Sequence, residues 1–96
     1  MSDQTQADRG RLAQAVLENA VYAESYGLVE TEIARKWRES RDPAEREELH
    51  LLLRMLDKAR NVLESTMRAG QLAEDALKRK QTQAEKMALY SVRRAS

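Results

Sequence analysis

Apolar residues recur along this chain at helical intervals, and the recurrence divides it into segments. Leu12, Val16 and Leu17 predict a short first helix over about residues 8–18, capped by Asp8, after a flexible lead-in at 1–7. Tyr22, Tyr26, Val29, Ile33 and Trp37 follow at steps of four, three, four and four, which places one continuous stripe on a second helix. Leu49, Leu52, Leu53, Leu56, Ala59, Leu63 and Met67 form a third stripe. Two long stripes with a short connection between them predict an antiparallel helical hairpin. Beyond Gly70 the pattern thins. Leu72, Ala76 and Leu77 predict helix over 71–80, whereas Met87, Leu89 and Tyr90 restore little apolar surface, so the tail reads as frayed or ordered by a partner. The expected fold is therefore all-α. A helical hairpin domain spans 8–77 with a short N-terminal helix, and a C-terminal arm leads into a basic tail over 78–96.

The punctuation is clearest between the two long stripes. Pro43 cannot continue a helix that begins before it, and it holds Asp42 away from helical geometry. Asp42 then reads as the N-cap, Pro43 as the first helical residue and Glu45 as the acid that reaches back to the cap. Glu47 and Glu48 add negative charge near the positive end of the helix dipole. Gly70 fits the position just past a helix end, with Leu72 packing back. Asn19 either breaks the first helical region or is passed through. Gly27 either admits a close backbone contact or is a tolerated cost of about 1 kcal/mol relative to Ala. Glu32 with Lys36, Arg60 with Glu64 and Glu64 with Arg68 stand four apart, as on solvated helix faces.

Composition then limits how this pattern can be stabilised. The 96 residues are 34% charged and 4% aromatic, with no Phe and no Cys, so the core is thin and no disulfide supports it. Self-association is the remaining way to bury more apolar surface. Tyr26, Val29, Ile33, Trp37, Leu49, Leu52, Leu53, Leu56, Leu63 and Met67 are the expected core or subunit seam, with Trp37 lying over Leu49 and Leu52. No apolar run approaches the roughly 18–20 residues that span a bilayer, and the N-terminus lacks a secretory apolar core. A soluble, unprocessed cytoplasmic protein with no membrane partner is expected.

Candidate chemistry is sparse. With one His, no Cys, no serine in a strained glycine turn and three isolated glycines, neither nucleophilic catalysis nor a phosphate loop is indicated. Glu47 and His50 have the Glu-x-x-His spacing of ferritin-like metal sites, to which Glu30 or Glu32 of a neighbouring helix could add. At about 100° per residue, however, they share a face with Leu51, Arg54, Lys58 and Asn61, and two cations on that face repel a metal. The expectation is no enzyme, no cofactor and no metal. Charge is uneven: residues 1–70 carry −2 and residues 71–96 carry +3. Lys78, Arg79, Lys80, Arg93 and Arg94 are the candidate phosphate contacts, alongside Arg68 and Lys86, although no reading helix accompanies them. The plainer alternative is a solvated tail.

Residues 17–77 also resemble a family of small helical proteins encoded by tailed bacteriophages and prophages. The matching elements are Leu17-Glu18-Asn19, the helix ending at Trp37, the turn from Ser40 to Glu45, and the helix start from Arg46 to Leu49. Leu63-Glu64 and the closing Gly70-Gln71-Leu72-Ala73 complete them. Ala20 stands where relatives often have Pro, and His50 where they often have an aromatic, which weakens a ligand role for His50. The resemblance implies a phage origin and a role in virion assembly or another phage–host task, in the bacterial cytoplasm or in the virion. A phage or host protein would be the partner. A host-binding or anti-defence factor, a packaging accessory that contacts DNA through the basic tail, and an oligomeric metal-binding hairpin are the alternatives.

Overall fold

A computed structural model describes the backbone of residues 2–95 and the side chains of residues 2–93. Within them the chain is all-helical: α1 is Asp3–Glu18, α2 is Ala20–Glu39 and α3 is Pro43–Ala95. The first helix begins earlier than the apolar pattern predicts. Ser2 is its N-cap, and the Ser2 hydroxyl accepts from the Thr5 N–H at 3.1 Å. Asp8 instead lies within the helix, where it accepts from Gln4 and pairs with Arg11. Residues 3–7 are thus no loose lead-in, and Ala7 is fully buried.

Asn19 does break the chain. Its own N–H donates to the Val16 carbonyl at 3.2 Å, closing α1, while its side-chain oxygen accepts from the Tyr22 N–H at 2.9 Å, opening α2. One extended residue, at φ −69° and ψ 121°, therefore ends one helix and starts the next.

At the second junction the Asp42 carboxylate accepts from the Ala44 N–H at 3.1 Å, as a cap should, and Pro43 is the first residue of α3. Glu45 occupies the first turn, exposed. Arg46 provides the rest of the elbow. Its guanidinium donates to the carbonyls of Trp37 at 2.7 Å and Ser40 at 3.0 Å, and it stacks 4.2 Å from the Trp37 ring centroid. The final carbonyls of α2, which have no partner within their own helix, thereby gain a cation.

The predicted stop at Gly70 does not occur. The α3 helix continues through it to Ala95, so the tail beyond Lys80 is helical rather than frayed. At about 1.5 Å per residue, 53 helical residues span about 80 Å. That matches the longest dimension of the molecule, which measures 82 × 24 × 16 Å. Both shorter helices lie antiparallel along α3. Asp3 pairs with Lys80 and Gly10 meets Gly70; further on, Tyr26 bonds Asp57 and Trp37 meets Arg46.

Gly70 is required for approach rather than for termination. A Cβ on Gly70 would lie 2.5 Å from the Gly10 Cα and 3.0 Å from the Gln6 carbonyl oxygen. A Cβ on Gly10 would lie 2.5 Å from the Gly70 Cα and 3.3 Å from the Thr66 carbonyl oxygen. Buried Ala7, Ala13 and Ala73 flank this crossing, so α1 docks through small residues that let two backbones touch. Gly27, by contrast, faces open space.

A candidate interaction surface

The expected core residues separate by exposure. Tyr26 and Leu49 are buried, and Ile33, Leu53, Leu56, Leu63 and Met67 are half-buried along the same line. Val29, Leu52 and Trp37 are not core. Val29 and Leu52 are about half exposed, and Trp37 is 36% exposed. The reason is rotational. The stripe on α3 advances by four and three through Leu49, Leu53, Leu56, Leu63 and Met67, which keeps one line under the neighbouring helix. Leu52 lies on the adjacent line, so Trp37 rests on Arg46 instead of covering Leu52.

Tyr26 is the anchor between α2 and α3. Its hydroxyl lies 3.2 Å from the Asp57 carboxylate, its ring tilts against Tyr22, and the Arg60 guanidinium lies 5.4 Å from its centroid. Burial pushes the Tyr26 phenol above its ordinary value, with the Asp57 bond and charge adding to the rise and Arg60 opposing it. On the outer side of α2, Arg35 bridges Glu32 and Glu39 at 2.7 and 2.9 Å. The Arg35 bond holds the Glu32 carboxyl below its usual range, and Glu32 in turn raises Arg35. Glu32 also pairs with Lys36, and Arg60 with Glu64, as their spacing predicts.

The chemical candidates do not converge. Glu47 and His50 are both exposed, and among the described residues no three His, Asp or Glu side chains are grouped to hold a metal ion. Nor is any described helix long and apolar enough to cross a membrane. The basic candidates divide. Lys80 is held by Asp3 at 2.8 Å and belongs to the α1 clasp, as does the Arg11–Glu74 pair at 2.6 Å. Lys78, Arg79 and Lys86 line a shallow groove on the arm with Thr82 and Gln83. Arg79, Lys86 and Arg93 are seven residues apart and so share a helix face. The Arg94 side chain lies outside the described residues.

What remains is apolar and exposed. Leu51, Leu52, Met55 and Val62 stand out from α3, and Val21 and Leu28 from α2. Leu52, Met55, Ala59 and Val62 follow one another at steps of three, four and three, so they form a single line on α3. Thr66, Ala73 and Leu77 prolong that line and are covered where α1 lies, with Ala73 buried. The bare section begins where α1 ends and the chain turns aside at Asn19. Only Leu52 of this line was among the expected seam residues. The others were legible as a second three–four series beside the first, and Gly10 as the middle of an Ala7–Gly10–Ala13 series of small residues at steps of three. Comparison of the chain with family models, with curated proteins and with solved structures finds no match.

Proposed function

We propose that this chain is a non-enzymatic helical adaptor, a structural or assembly accessory of the tailed-phage kind. In this reading α2 and α3 form the hairpin, α1 straps it, and the protein works as an oligomer or bound to a phage or host protein. The observation that carries it is the distribution of apolar surface. Large side chains such as Leu52, Met55 and Val62 are more than half exposed on a rod whose buried apolar residues are mostly alanines. Such surface favours burial against another protein. The phage assignment rests on the residue resemblance over 17–77. The test is fractionation of the native chain, together with its deletion from the genome that encodes it. Co-migration with particles or assembly intermediates, and fewer finished particles after deletion, are expected. Normal particles after deletion, with the chain in none of those fractions, would overturn the assignment.

The groove formed by Lys78, Arg79, Thr82, Gln83 and Lys86 favours a second reading, in which the arm contacts phosphate. DNA retention that falls with added salt and disappears in a Lys78→Ala, Arg79→Ala, Lys86→Ala triple variant is its expected signature. Retention unchanged in that variant rules the arm out.

A further inference from the structure

We infer that the bare line on α3 is a dimer interface, and that its occupant is the same line on a second copy of this chain, running antiparallel. This deepens the adaptor reading by naming one partner of its apolar surface.

The first argument is area. A compact monomer of 11.0 kDa exposes about 5,600 Å², whereas this chain exposes 7792 Å². The excess is about 2,200 Å², well above the roughly 800 Å² that each partner gives to a standard interface. No cysteine is present to compensate by cross-linking.

The second argument is register. Steps of three, four and three read the same in both directions, so the line is self-complementary about residue 57. A two-fold axis there sets Leu52 against Val62 of the second copy and Met55 against Ala59 of the second copy, large against smaller at each level. A parallel pairing fails sterically. Beyond Thr66 each copy carries its own α1 on this line, and two such helices would collide. The antiparallel pairing instead lays α1 of each copy against the first turns of α3 in the other, near residues 43–52, so no two α1 helices meet.

The third argument is charge. Residues 42–48 carry four acids and one arginine, a net −3. The antiparallel register lays this segment over residues 66–72 of the second copy and the part of α1 that covers them, where Arg68, Arg9 and Arg11 stand against one acid, Asp8. Lys58 comes near the two-fold axis, and its long stem carries the ammonium out to water.

Sedimentation equilibrium of the full chain tests the interface. The expected mass is twice the 11.0 kDa of the chain. Met55→Glu or Val62→Glu should weaken the dimer by at least about 10-fold. Leu28→Glu, on the exposed side of α2, should not. Far-UV circular dichroism verifies that each variant stays helical. The natural absence of cysteine permits an orientation test that does not depend on those variants. When Leu51→Cys and Ser65→Cys proteins are mixed with a short bis-maleimide, the 51–65 product is expected. Products 51–51 and 65–65 without 51–65 would show a parallel pairing and overturn the proposal. A monomeric wild-type chain at about 100 μM, well above the micromolar range expected for a standard interface, would overturn it as well. That result would leave the adaptor reading to its own test in particle fractions.

Discussion

Three glycines in this chain have two neighbourhoods, and these predict opposite outcomes for the same substitution. At Gly70 a methyl group meets the Gly10 backbone at 2.5 Å, so Gly70→Ala must push α1 away from α3. The overpacking should cost about 1–3 kcal/mol, which outweighs the helix propensity gained. At Gly27 nothing lies within 4 Å, and Gly27→Ala should stabilise by about 0.5–1 kcal/mol. Thermal melts of the two variants check both signs; a shift in the same direction for both would contradict the crossing. Trp37→Ala belongs to this scale too. Full burial would make it cost about 3–5 kcal/mol, but a ring that is 36% exposed should cost nearer 2 kcal/mol. Tyr26 carries a pH dependence. Its phenol is raised above 10.0 in the fold, so the folded state holds that proton more tightly than the unfolded chain. The contribution is complete below the unfolded value and is lost as pH rises through the higher folded value. Tyr26→Phe should flatten this alkaline loss in melts recorded between pH 9 and 11, relative to the wild type.

Helix boundaries are decided by short-range bonds, and these varied in how well they could be read. Asp42 and Pro43 were legible because a cap and a proline act within one turn of chain. Asn19 was half legible: its side chain suits a cap, but only the course of α2 shows that the cap is used. Arg46 was not legible, because its partners lie across a turn whose geometry no local pattern specifies. It donates to two carbonyls of the preceding segment and covers Trp37. Arg46→Ala should therefore cost about 2 kcal/mol, given that a bond to a charged group contributes about 1.5–3 kcal/mol and water competes for the exposed one of this pair. Arg46→Lys should recover only part of it, since one terminal nitrogen makes both bonds and an ammonium could do the same, but it has no planar face to stack on the Trp37 ring. Urea titrations of the pair measure this, and full recovery by Lys would leave charge alone as the cause.

At the scale of the molecule, extension governs behaviour. The Cα radius of gyration is 22.4 Å, against about 12–13 Å for a compact chain of this length. Folding to an exposed surface of 7792 Å² buries only about half of the roughly 16,000 Å² of the unfolded chain, where a compact monomer buries about two-thirds. The denaturant slope of the isolated chain should accordingly be about a fifth lower than that of a compact protein of equal length. If the chain pairs, the unfolding midpoint should instead rise with protein concentration. Midpoints measured over a 100-fold concentration range separate the two behaviours. The sequence by itself determined that the described chain is helical, where Asp42 and Pro43 begin the longest helix, and that little apolar mass was available for a core. Those properties follow from periodicity, capping and composition, which act within a few residues. Only the tertiary structure decided that Gly70 is a contact rather than an end, that Lys80 clasps Asp3, and which of two adjacent leucine lines is covered. Each of these depends on a residue about sixty or more positions away, or on the rotation of one helix about another, and a single helix stripe carries information about neither.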